Sequence, residues 1–203
     1  METDSFFTIE SECEGSFKDR GSKFIAKVFP VETEEQVKEI LTTLRKEYYD
    51  ARHHCYAYRI NPEDEQFRSN DDGEPSGSAG KPILNQLLSK ELMNVLVVVI
   101  RYFGGTKLGV SGLINAYKTA TLDAIENSKI VKRYIFRQIE VRFEYPQMNS
   151  VMRFVKEADI EVLDQNFDLN CVIKIQIKKS ELEQIIFRLE EMREICFDVL
   201  INS

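Results

Sequence analysis

The chain has 203 residues, 43% of them hydrophobic and 30% charged, with a net charge of −7. That length accommodates two small domains, and that composition excludes a disordered or fibrous chain. No apolar run approaches the roughly 20 residues that span a bilayer, and the acidic balance repels nucleic acid except through a local basic cluster.

The opening METDSFFTIE carries no basic leader. Cys13, Cys55, Cys171 and Cys196 stand far apart with no C-x-x-C pair, so free thiols in a cytoplasmic protein are expected. Residues 6–18 read as a strand or hairpin, 20–23 (RGSK) as a turn, and 24–31 as a strand. Thr33 suits an N-cap. Glu34 and Glu35 follow in the first turn, and Val37, Ile40, Leu41 and Leu44 have helical spacing. Residues 52–60 (RHHCYAYRI) predict a further strand.

Residues 61–79 form a polar segment too long to be an idle loop in a compact domain. The stretch 71–82 (DDGEPSGSAGKP) gathers Asp71, Asp72 and Glu74, the hydroxyls of Ser76 and Ser78, and Lys81, before a short helix at 83–88. Backbone N–H groups in such a turn suit an anion. It is not a phosphate loop, because Pro75 stands where that pattern needs glycine and Pro82 where it needs a hydroxyl.

The most apolar run, 95–100 (VLVVVI), predicts the central strand. It delivers 101–112 (RYFGGTKLGVSG), in which Gly104, Gly105, Gly109 and Gly112 surround Arg101, Tyr102 and Lys107. A helix over 111–127 follows, burying Leu113, Ile114, Tyr117, Ala120, Ala124 and Ile125, and 129–136 closes the domain as a strand. Together these predict an α+β domain over 1–137.

From 138 the pattern becomes βαββαβ, a ferredoxin-like unit over 138–203. Residues 138–145 alternate as a strand, and Val151, Phe154, Val155 and Ala158 line a helix. Strands at 160–167 and 171–178 join through a turn at 168–170. Ser180 and Glu183 have the spacing of a capping box, and 195–201 alternate to the end.

Two loops carry whatever chemistry there is. Asp71, Asp72 and Glu74 could serve a magnesium ion, form an ordinary solvated turn, or pair with Arg101 and Lys107 to hold the loops together. No metal site is expected: His53 and His54 are the only histidines, and neighbours on a strand face opposite ways. Neither Ser76, Ser78 nor Ser111 sits in a nucleophile context that His53 could serve as base, so no catalytic residue and no cofactor is expected. Arg20, Lys23, Lys81, Arg101 and Lys107, with Tyr102 and Phe103, form a basic and aromatic set suited to phosphates and bases. The same residues read equally as internal ion pairs, with Phe103 in the core.

The sequences DDGEPSGSAGKPIL and NVLVVVIRYFGGTKLGVSGLINAY, with 20–24 (RGSKF) and His53, resemble the signature of the IMPACT/YigZ family over about residues 15–125. That resemblance implies an N-terminal domain of the ribosomal-protein/GHMP-kinase type, with an unusual left-handed crossover. It also implies a ferredoxin-like C-terminal domain similar to one in elongation factor G. Eukaryotic relatives dampen the amino-acid-starvation kinase by competing for its scaffolding activator through an additional N-terminal domain, so the broader link to translation control is what carries over.

The expectation is a non-catalytic, translation-linked regulator or an RNA- or ribosome-binding protein. It would work through Arg20, Lys23, His53, Asp71, Asp72, Glu74, Ser76, Ser78, Lys81, Arg101, Tyr102, Gly104, Gly105 and Lys107. The alternatives are a protein-docking module in stress regulation, or a magnesium-dependent enzyme acting on a phosphorylated small molecule.

Overall fold

The computed structural model describes residues 4–168 and 171–200. It divides into two compact units, one spanning Phe6–Arg133 and the other running from Tyr134 onward and including Asp4 and Ser5. The division falls between Arg133 and Tyr134, slightly before the 137/138 boundary that the sequence suggests, because one strand ends there and the next begins almost at once.

The first unit holds β1 (Ser5–Ile9), β2 (Cys13–Asp19), β3 (Ser22–Pro30), α1 (Glu34–Glu47), β4 (His53–Ile60), β5 (Gln66–Asn70), α2 (Gly80–Ser89), β6 (Val95–Tyr102), α3 (Gly109–Glu126) and β7 (Ile130–Tyr134). Five strands form an antiparallel sheet in the order β2-β3-β6-β4-β5. β1 and β7 pair separately, so residues 6–18 are two strands with different partners and not a hairpin.

The long segment after β4 is also not all loop. Gln66–Asn70 (QFRSN) forms edge strand β5 against β4. Four of its five residues are exposed, so no buried face imposed the alternation by which strands are read.

The run Val95–Ile100 is continuously apolar because both faces of β6 are covered. Val95, Val97 and Val99 pack toward α2 and α3, with Leu87, Leu113, Tyr117 and Ala120. Leu96 and Val98 pack toward α1, with Val37, Leu41 and Leu44. α1 begins in a full capping box: Thr33 accepts from the Gln36 amide, and the Gln36 side chain accepts from the Thr33 N–H.

Two crossovers interleave. One runs from β3 over α1 to β4, the other from β5 over α2 to β6, and each skips one strand. They run along the sheet in opposite directions on antiparallel strands, with their helices on opposite faces. Geometry then requires them to have opposite hand, so one of the two is left-handed, against the usual preference.

The second unit contains β8 (Phe136–Phe143), α4 (Met148–Glu157), β9 (Glu161–Phe167), β10 (Cys171–Lys178), α5 (Leu182–Glu190) and β11 (Ile195–Leu200). Its antiparallel sheet has the order β11-β8-β10-β9, the ferredoxin-like arrangement. Ile139, Val141, Ile173 and Ile175 form its core with Val151, Phe154 and Ile185.

The expected capping box at Ser180 does not form: α5 starts after a 3₁₀ turn at Lys179–Glu181, and the Ser180 hydroxyl donates to Asp4 instead. Residues 169–170 of the expected turn, and Ile201 of the last strand, lie outside the described residues.

Candidate functional site

Strand register decides which of the sequence's candidates meet. Across β6, Arg101 lies opposite Phe24 of β3 and His53 of β4, so these three side chains share the face covered by α2 and α3. Tyr102 lies opposite Lys23, which puts both on the α1 face. There the Tyr102 hydroxyl donates to Asp50 at 2.8 Å, and burial together with that carboxylate pushes its pKa up to about 12. Lys23 and Tyr102 therefore do not join Arg101 in one surface, a separation that follows from the period of two along a strand.

His53 and His54 divide in the same way. His54 is buried toward α1, and that burial holds its pKa below the ordinary value.

On the α2/α3 face a buried polar network links the two glycine-rich loops. Arg101 Nη1 meets Glu74 Oε1 at 2.5 Å, and the Tyr117 hydroxyl donates to the same oxygen at 2.8 Å. The Cys55 thiol lies 3.3 Å from that hydroxyl and 3.0 Å from the Asp71 carbonyl. Burial pushes both the Cys55 thiol and the Tyr117 phenol strongly upward, so neither ionises near neutral pH. His53 Nδ1 is 2.8 Å from the Asp72 carbonyl, which makes it the protonated nitrogen, and leaves Nε2 4.0 Å from Glu74.

Asp71 builds the first loop. Its carboxylate accepts the amides of Gly77 at 2.8 Å, Ala79 at 3.0 Å and Gly80 at 2.8 Å, the last two at the start of α2. The Asp72 carboxylate accepts the His54 amide at 2.7 Å and lies 3.5 Å from Arg45. The buried Ser78 hydroxyl donates to the Pro75 carbonyl at 2.6 Å, while Ser76 is exposed. The three acids thus point to three separate tasks. Among the described residues no group of three or more His, Cys, Asp or Glu side chains converges as a metal site would require.

The second loop is placed by a backbone contact. A Cβ on Gly104 would sit 1.9 Å from the Gly21 carbonyl carbon and 2.1 Å from the Ser22 nitrogen, and the Gly104 amide donates to the Ser22 hydroxyl at 3.1 Å. Arg20, exposed with φ of 45°, belongs to that same turn. Gly105, at φ of 86°, lets the chain turn away toward Lys107 and α3.

Between the loops opens a cleft of about 520 Å³, within the range of small-ligand sites. It is lined by Arg101, Glu74 and His53, by Leu108 just ahead of α3 with Val110 and Leu113 of that helix, and by Phe103, Arg52 and Lys107. Phe103 is 49% exposed, so it is not the core residue the sequence allowed for, and Ile114 on α3 is exposed as well. Lys81 is exposed at the start of α2 and does not line the cleft.

Sequence reading missed Arg52 and Tyr117. Arg52 stands just ahead of a strand with no motif around it. Tyr117 was legible as a helix-face residue, but the task of its hydroxyl depends on where Glu74 lands.

Residues 20–125 match the Impact N-terminal domain family. Over 177 residues the chain is 31% identical to the IMPACT family member YvyE of Bacillus subtilis, covering 87% of this chain and 82% of that protein. A 96-residue stretch, 45% of the chain, is 45% identical to Protein IMPACT of Oryctolagus cuniculus and spans 30% of it. A crystal structure of a hypothetical protein superposes with a TM-score of 0.71 over 99% of this chain and 98% of its own, at 24% identity, a likeness of fold. With just over half its length matched by the family's domain and most of it aligned with a bacterial member, the chain belongs to the IMPACT family.

Proposed function

We propose that this chain is a non-catalytic, translation-linked regulator that recognises an anionic partner, RNA or a ribosomal surface, through the cleft between its two glycine-rich loops. The carrying observation is the charge of that cleft. It holds three cations, Arg52, Arg101 and Lys107, against the single acid Glu74, on a chain whose net charge is −7. Arg101 is matched by Glu74, whereas Arg52 and Lys107 have no acidic partner among the described residues and are exposed.

Three groups near the cleft that could make or break bonds are engaged elsewhere. The Glu74 oxygen already accepts two hydrogen bonds, the Ser78 hydroxyl is tied to its own loop, and burial keeps the Cys55 thiol protonated. The link to translation rests on membership of the IMPACT family and on what that resemblance implies.

Co-sedimentation with ribosomes and RNA affinity at physiological salt test the reading. The double variant Arg52→Ala, Lys107→Ala is expected to weaken binding and to lower the salt dependence by about one unit of slope per removed cation. Unchanged binding would overturn it.

Phe103 and Val110, 49% and 52% exposed at the same cleft, favour a second reading as a docking face for a protein partner. Partners that stay bound after nuclease treatment, and leave on Phe103→Ala, distinguish it.

A further inference from the structure

We infer that the cleft is a mononucleotide site, which takes one phosphorylated nucleoside with its phosphate at the start of α3 and its base on Phe103. The inference rests on the anionic-partner reading above and goes further by naming the unit recognised.

The first argument is the state of the helix starts. α1 is capped by Thr33 with two acids in its first turn, and the amides opening α2 are taken by Asp71. The 18-residue α3 has no side-chain cap and no acid in its first turn, and its opening residues Leu108, Gly109 and Val110 line the cleft. Its free amides and dipole are left facing outward for an anion, with Lys107 immediately before them.

The second argument is independent. Arg101 lines the cleft, is only 6% exposed, and its Nε–H is buried with no acceptor. A buried donor on a cation that lacks a partner costs free energy, so Arg101 gains by turning that N–H onto a phosphate oxygen that enters the cleft. Arg101 is held for that contact by Glu74 on one nitrogen and by the rings of Phe24 and Phe103, 5.4 and 5.8 Å from its central carbon.

The third argument concerns the non-phosphate part. Phe103 offers an exposed ring in the cleft that Val110 and Leu113 also line, apolar and aromatic surface suited to the face of a base. A volume of about 520 Å³ holds one nucleotide and excludes a paired helix. A free nucleotide and the unpaired end of an RNA strand present this same chemistry.

The test uses the full chain labelled with ¹⁵N, following the Arg101 Nε–H resonance and calorimetric binding. The titrants are AMP, adenosine, inorganic phosphate, and a five-nucleotide single-stranded RNA. AMP is expected to shift the Arg101 resonance and to bind about tenfold tighter than phosphate or adenosine. Phe103→Ala is expected to cost AMP about tenfold and inorganic phosphate clearly less, and Lys107→Ala to weaken both. Both side chains are exposed, so these variants keep the fold.

RNA binding tighter than AMP, and displaced by it, assigns the site to a strand end; AMP binding without RNA binding assigns it to a free nucleotide. No response of Arg101 to millimolar AMP or RNA, or indifference to Phe103→Ala, overturns the inference. If ribosome binding still depends on Arg52 and Lys107 in that case, the broader reading survives alone; if it does not, both fall.

Discussion

The Arg101 guanidinium and the Glu74 carboxylate meet at 2.5 Å with both side chains almost wholly out of water, and they join the end of β6 to the loop that precedes α2. Such a pair is weak evidence for stability as a whole but strong evidence for interdependence. Arg101→Met should leave a buried carboxylate without its counter-charge and cost about 3–5 kcal/mol in urea unfolding. The double variant Arg101→Met, Glu74→Met should recover a large part of that loss. A single variant as stable as the parent would show the pair to be dispensable.

Asp71 should matter through the backbone it holds. Asp71→Ala removes the acceptor for three amides and is expected to cost about 1–2 kcal/mol. Hydrogen exchange at Gly77, Ala79 and Gly80 should accelerate, while exchange in the core of β6 follows only the global change.

Gly104→Ala tests the loop contact. The added methyl meets backbone atoms of Gly21 and Ser22 well inside contact distance, so the two turns must separate, at a cost of about 1–3 kcal/mol. Gly77→Ala meets no atom within 4 Å and pays only for its φ of +72°, about 1 kcal/mol. Thermal melts of the two variants should rank in that order.

His54 should give the first unit an acid-sensitive slope. Burial lowers its pKa in the folded state below the ordinary value near 6.5, so the unfolded chain binds the extra proton first. Its contribution is therefore complete above about pH 6.5 and is lost as the pH falls below it. Urea unfolding of His54→Gln between pH 5 and 8 should show a flatter dependence than the parent.

Much of this arrangement was open to reading from residues alone. The run Val95–Ile100 announced a buried central strand, and the alternation in 138–145 announced a half-buried one. The pairing of acids on one loop with a base on the other was also visible as an option, and Glu74 with Arg101 realises it.

What was hidden depends on neighbours. Lys23 looked like a companion of Arg101 because it stands at a glycine turn, and Tyr102 because it is the next residue, yet side-chain alternation carries both through the sheet. β5 was hidden because an exposed edge needs no apolar residues, and Arg52 because nothing local marks it.

The central strand of the five-stranded sheet is the last of the five to be encountered along the chain. A growing polypeptide that stops short of Val95 holds β3 and β4 with the place between them unfilled, each showing an unpaired edge. Completing the sheet means inserting one strand between two others, a set of distant pairings that closes late and slowly. Arg101 rides on the end of that strand. The cleft is therefore incomplete until the sheet has closed.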